Sequence, residues 1–209
     1  MGVNVILSDL DGTLIDSKAS VRRAFEWWAD LRQLPADVVE RVPHGRTSTA
    51  AAALLAPHLD AATEGAMLDQ RQCDDTRGVV ALAGARVLLE THPRLAIVTS
   101  CPVPLAHARL AAAGLPRPAT LVTPELTKRG KPEPDPYLLG AELLGATPAE
   151  CVVLEDAPAG IASGRAAGMI VIAVLTTHRR DELPGAAAYL NDLTELSEAL
   201  TELLRSADA

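Results

Sequence analysis

Aromatic side chains are scarce in this 209-residue chain: one Phe, two Tyr and two Trp, 2% of the whole. Ala, Val, Leu and Ile must therefore build the core, and 48% hydrophobic residues suffice for a sizeable one. Cysteine is scarce too. Cys73, Cys101 and Cys151 are odd in number, widely spaced and form no CxxC pair. That argues against a disulfide framework or a structural zinc site and fits a reduced, cytoplasmic setting. No apolar run approaches the length of a membrane span, and no basic-then-apolar leader pattern opens the chain. Positive charge is in deficit, with 19 Lys and Arg against 27 Asp and Glu, a net charge of -8. Nucleic acid wants a basic face, so it is not expected as a partner. An anionic substrate would need a locally basic pocket or a bound cation. These features suit a small-molecule partner, with the chain a monomer or small homo-oligomer.

Four short apolar runs are present: Val3–Leu7, Leu95–Val98, Cys151–Leu154 and Met169–Val174. Each is bounded by polar or turn residues and reads as a buried strand. Helical patterns separate the later ones: "GARVLLETH" and "PLAHARLAAAGL" flank the second run, "PDPYLLGAELLG" precedes the third, and "AGIASGRAAG" follows it. Alternating helices and continuously apolar strands imply an α/β fold, a Rossmann-like parallel sheet with helices on both faces. Residues 17–83 break the rhythm with three helical stretches and no convincing strand. They read as a small inserted all-α domain, leaving 1–16 and 84–209 as the core domain. Within the insert, a helix cannot bury both Trp27 and Trp28 on one narrow stripe, so one of them is expected in the insert's own core. Lys18, Arg22 and Arg23 read as a solvated helix face.

Ligands of open parallel sheets bind beyond the carboxyl ends of the strands. There the sequence places Asp9, Asp11 and Thr13 after the first run, Thr99 and Ser100 after the second, and Glu155 and Asp156 after the third. Lys131 stands in "KRGKPEPDPY" between the second and third. Carboxylates, hydroxyls and an ammonium at one sheet edge suit a phosphate and a hard divalent cation. Mg²⁺ takes oxygen ligands, which Asp9, Asp156 and the Asp11 backbone carbonyl can supply, with Glu155 in support. A carboxylate can attack phosphorus, and a second one two residues on can protonate the leaving oxygen and then deprotonate water. Lys131 would neutralise the cluster, and Thr13, Thr99 and Ser100 would donate hydrogen bonds to the transferring group.

The motifs carry a resemblance. "DLDGTL", "IVTS", "GKPEPDPY" and "VLEDAPAGIASGRAAGM" resemble, in order, the four motifs of the haloacid dehalogenase-like phosphatase superfamily. The helical insert is similar to that family's small cap. The resemblance implies that Asp9 is the nucleophile and Asp11 the general acid and base. "PHGRTS" is similar to a stretch of the 2-deoxyglucose-6-phosphate and glycerol-phosphate phosphatases, so His44 and Arg46 would reach from the cap toward substrate. The expected activity is Mg²⁺-dependent hydrolysis of small sugar or polyol phosphates through an aspartyl phosphate. A β-phosphoglucomutase-like mutase is the rival enzyme. That group usually carries a His in the first cap helix, where "ASVRRAFEWW" has none. A non-catalytic binding protein of the same fold is expected to lack Asp9, Asp11, Lys131 or Asp156, and all four are present.

Overall fold

The computed structural model describes residues 4–207. Six parallel strands form the main sheet: β1 (Val5–Ser8), β4 (Leu95–Val98), β5 (Thr120–Val122), β6 (Cys151–Glu155), β7 (Ile170–Val174) and β8 (Ala188–Leu190), in the order β5-β4-β1-β6-β7-β8. The first expected strand starts two residues later than its apolar run, and Val3 lies outside the described residues. β5 and β8, the two edges, were not expected.

Side chains of a strand alternate between faces, and the two faces here carry separate cores. Ile6, Leu95, Ile97, Val152, Leu154, Ile172 and Val174 pack on one side, under α4 (Ala85–Thr91), α5 (Val103–Ala112) and α8 (Leu196–Ala207). Val5, Leu7, Ala96, Val98, Cys151, Val153, Val171 and Ala173 pack on the other, under α6 (Asp135–Leu143) and α7 (Pro158–Ala166). This double burial is why β1, β4 and β6 read as unbroken apolar runs rather than alternating ones.

Between β1 and β4 the chain leaves the sheet. A two-stranded antiparallel ribbon, β2 (Ile15–Asp16) with β3 (Val80–Ala81), marks its departure and return. β3 is a short strand in a stretch expected to have none. Beyond the ribbon lie α1 (Lys18–Arg32), a 3₁₀ turn (Ala36–Arg41), α2 (Ser48–Leu55) and α3 (Ala61–Asp74). They enclose a cluster of their own, built on Ala24, Phe25, Trp28, Ala51, Ala52, Ala56 and Leu68. This is the small helical cap. Trp28 is the buried tryptophan, while Trp27 lies under the Arg71 guanidinium, 5.4 Å away. The basic residues at the start of α1 do not form one solvated face. Arg22 is open to solvent, but Arg23 forks onto Asp75 at 2.9 Å through both nitrogens, and Lys18 Nζ donates to the Thr176 carbonyl at 2.9 Å.

Candidate active site

β1 lies between β4 and β6, so the carboxyl ends of these three strands converge. The ladder runs one residue past each strand end, with Asp9 N–H donating to the Leu154 carbonyl at 2.9 Å and Thr99 N–H to the Val122 carbonyl at 3.0 Å. After Asp9 the chain turns back on itself. Leu14 and Ile15 both donate to the Leu10 carbonyl, and Leu10 and Leu14 anchor the turn in the core. Gly12 makes the turn possible, since its φ is +90° and a Cβ there would collide with the Asp156 carboxylate. The turn carries Thr13 to Asp156, where its hydroxyl donates to Oδ1 at 3.2 Å.

Lys131 is the hub of the buried cluster. Its ammonium donates to Asp9 Oδ1 at 2.6 Å, Glu155 Oε1 at 2.6 Å and the Val98 carbonyl at 2.9 Å. All three N–H bonds are thereby used. The Tyr137 ring lies 5.0 Å from the ammonium, and its hydroxyl also donates to Glu155 Oε1, at 2.9 Å. Glu155 Oε2 accepts the backbone N–H groups of Asp156 and Ala157 at 3.0 and 3.2 Å. This carboxylate sits against the start of α7, where a Cβ on Gly160 would overlap it. Four donors therefore occupy Glu155, which anchors the cluster from behind. Asp9 Oδ2, in contrast, accepts no hydrogen bond among the described residues, and Asp9 is among the residues lining the cavity.

Carboxylate oxygens of Asp9, Glu155 and Asp156 lie within 4.8 Å of one another, all three residues buried. Burial pushes the Asp9 carboxyl up to about 7, with Lys131 pulling it down and Glu155 and Asp11 pushing it further up. Burial, then Glu155 and Asp9, also raise Asp156 well above the usual carboxylate range. With all three ionised, as a bound cation requires, three carboxylates against one ammonium would leave two negative charges uncompensated. That deficit, presented by hard oxygen donors, is the balance a divalent cation would restore.

Asp11 stands apart from this cluster, at the edge of a cavity of about 290 Å³ between the strand ends and the cap. Ser17 donates to its Oδ1 at 2.6 Å; the Cys101 thiol donates to its Oδ2 at 3.0 Å, and Arg109 Nη1 lies 2.7 Å from the same oxygen. The cap supplies the opposite wall with His44, Arg46, Ser48, Asp69 and Gln72.

The haloacid dehalogenase-like hydrolase family model matches residues 3–168. Hexitol phosphatase A of Escherichia coli is 49% identical over 80% of this chain and 81% of its own length. The chain belongs to this family. Glycerol-1-phosphate phosphohydrolase 2 of Saccharomyces cerevisiae is 33% identical, with 87% of this chain and 78% of the relative covered. Among solved structures, a hydrolase from Pseudomonas syringae superposes with a TM-score of 0.84 at 26% identity, covering 95% of this chain and 98% of the other. Members generally use a divalent metal, and the charge deficit of the Asp9, Glu155 and Asp156 cluster fits one.

The structure brings Asp9, Lys131, Glu155, Asp156 and Thr13 into one buried group, with Asp11 beside it. Thr99 and Ser100 line the cavity, but both have partners: Thr99 Oγ1 accepts the Cys101 N–H at 3.1 Å, and Ser100 Oγ donates to the Gly45 carbonyl of the cap at 2.9 Å. Arg46 lines the cavity without an ion pair among the described residues. His44 packs edge-to-face on His178 at 5.4 Å, and burial, then His178 and Lys18, lower its pKa. Thr177, Tyr137, Arg109 and Gln72 were not anticipated. The Thr177 hydroxyl bonds Asp156 Oδ2 and donates to the Asp156 carbonyl at 2.9 Å. Arg109 carried a faint signal, because it falls on the otherwise apolar buried stripe of α5, with Leu105, Ala106 and Leu110.

Proposed function

We propose that this chain is a Mg²⁺-dependent phosphomonoesterase for small polyol and sugar phosphates, working through a phosphorylated Asp9. The observation that carries the reading is the pair of unlike acids two residues apart. Asp9 lines the cavity with one carboxylate oxygen fixed by Lys131 and the other without a hydrogen-bond partner among the described residues, while Asp11 is held separately by Ser17, Cys101 and Arg109.

In the first step Asp9 Oδ2 attacks phosphorus, the P–O ester bond breaks, and the departing alkoxide takes a proton from Asp11. In the second, Asp11 removes a proton from water, which attacks phosphorus, breaks the acyl phosphate and returns Asp9 as a carboxylate. Lys131 fixes the orientation of Asp9 and offsets charge on the phosphoryl oxygens. Thr99 has a hydroxyl proton to give to those oxygens. Ser100 can give its own by turning its hydroxyl from the Gly45 carbonyl to the phosphoryl group, and Thr13 positions Asp156. Asp9, Asp156 and the Asp11 carbonyl would hold Mg²⁺, with Glu155 behind them. The ion would supply charge neutralisation at the phosphoryl group. Residues 17–83 act as the cap, and Arg46 and His44 face the hydroxyl-bearing end of the substrate.

The relatives named as hexitol and glycerol-1-phosphate phosphatases support the substrate class. So does the cavity, where the Asp69 carboxylate and Ser48 hydroxyl offer partners to hydroxyl groups and Asp69 disfavours a second anion. The test is phosphate release with Mg²⁺ from polyol phosphates, sugar phosphates and phosphoglycolate. Polyol and sugar phosphates should give the highest kcat/KM. A preference for phosphoglycolate, or no release from any of them, would overturn the assignment.

A further inference from the structure

Arg109 is 3% exposed, on the core helix α5, and it bridges two groups that belong to different parts of the molecule. Its Nη1 lies 2.7 Å from Asp11 Oδ2. Its Nη2 donates to Gln72 Oε1 at 2.6 Å, and Gln72, 2% exposed, belongs to the cap helix α3. Gln72 Nε2 is fixed in turn by the Leu68 carbonyl at 3.1 Å and Ser48 Oγ at 3.3 Å. Ser48 donates to Asp69 at 2.6 Å. An unbroken hydrogen-bonded chain thus runs from Asp11 into the cavity wall of the cap.

Stability alone is a poor reason for this arrangement. Burying a guanidinium costs more than its ion pair commonly returns, and Arg109 Nε has no partner at all among the described residues. Asp11 is only partly buried, and its carboxylate and that of Asp9 repel each other. Ser17 and the Cys101 thiol also hold its carboxyl group, but Arg109 supplies the one positive charge paired with it among the described residues.

We infer that Arg109 is the positioning residue of Asp11, and that Gln72 makes this positioning depend on the docked cap. The inference rests on the proposed role of Asp11 as general acid. Arg109 contacts Asp11 through its carboxylate, not through the backbone carbonyl assigned to the metal, and it fixes the orientation of the carboxyl group that hands a proton to the leaving group. Gln72 holds the guanidinium in the required orientation only while α3 lies against α5, so proton transfer becomes competent when the cap is closed over substrate.

Leaving-group dependence reads this role directly. The value of kcat/KM reports steps up to departure of the leaving group. Glycerol 1-phosphate needs a proton at that point, whereas p-nitrophenyl phosphate releases a stable anion and does not. Arg109→Met should lose roughly 50-fold or more in kcat/KM on glycerol 1-phosphate, largely in kcat, but less than about 5-fold on p-nitrophenyl phosphate. Arg109→Lys should recover part of the loss, and Gln72→Met should show the same substrate split in weaker form. If Arg109→Met does not fold, the Lys and Gln72 variants decide the matter by the same ratio. Equal losses on both substrates would mean a merely structural role and would overturn the inference. Asp11→Asn separates the two claims. If it splits the substrates while the Arg109 and Gln72 variants do not, only this inference falls; if Asp11→Asn itself shows no split, the reading of Asp11 falls and takes this one with it.

Discussion

Asp9 carries an electrostatic cost in the proposed reaction. Its carboxyl is held at about 7 by burial, against roughly 3.9 in an unfolded chain, so the metal-free folded state binds a proton that the unfolded state has released. Between those two values the unfolded state binds fewer protons, and this group lowers stability as pH rises. Asp156 acts in the same direction. A divalent cation needs both carboxylates deprotonated and competes with their protons. The same Mg²⁺ concentration, saturating at pH 7.5, should therefore raise the melting temperature more at pH 7.5 than at pH 5.5. At about 100 times the dissociation constant the gain is about 2.7 kcal/mol, or roughly 5–10 °C for a chain of this size. Thermal melts in Mg²⁺ and in chelator at the two pH values measure the gap. An equal gap at both, or none, would contradict the assignment of these carboxylates to the metal.

At the scale of elements, the cap is held together by a polar knot inside an apolar cluster. Trp28 is fully buried on α1, and its indole N–H donates to Glu64 of α3 at 2.6 Å. Arg32, one turn further along α1, forks onto the same carboxylate at 2.8 and 2.9 Å. Removing the indole opens a cavity and takes a donor from a buried acid. Trp28→Ala should cost about 3–5 kcal/mol, read as a lower denaturation midpoint. A loss below about 1 kcal/mol would mean that the cap does not unfold with the rest of the chain.

What could be read in the sequence follows from burial. β1, β4, β6 and β7 lie inside the sheet and have both faces covered, so each is an apolar run that stands out without context. β5 and β8 are three-residue edge strands with half-exposed side chains, and the sheet beside them creates them more than their own residues do. The acids were legible because they stand immediately beyond the interior strands. Arg109, Gln72 and Thr177 reach the site from elements far along the chain, and no spacing rule connects them to Asp11 or Asp156. Lys18 looked like a solvated lysine because its partner, the Thr176 carbonyl, is 158 residues away.

At the scale of the molecule, a net charge of -8 is set against the capture of an anionic substrate. The cavity offsets this locally. Lys18, Arg22, Arg46 and Arg109 line it against Asp9, Asp11, Glu40 and Asp69; burial opposes the charge of Arg109, but Asp11, Cys101 and Asp69 together outweigh it and hold Arg109 in its charged form. Cap and core meet there through separate polar contacts, including Ser100 with Gly45, Gln72 with Arg109, and Lys18 with Thr176. Bonds of this kind can open and re-form as a lid moves. The central claim is that one aspartate oxygen, left free while its neighbour is fixed by Lys131, attacks phosphorus with a metal ion's help. Phosphate release from a polyol phosphate, by wild type and Asp9→Asn with and without Mg²⁺, tests it most directly. The account predicts release by wild type that requires the metal and a loss of at least about 10³-fold in the variant, because an amide is a poor nucleophile. Metal-independent release, or an Asp9→Asn variant that keeps the wild-type rate, would contradict it.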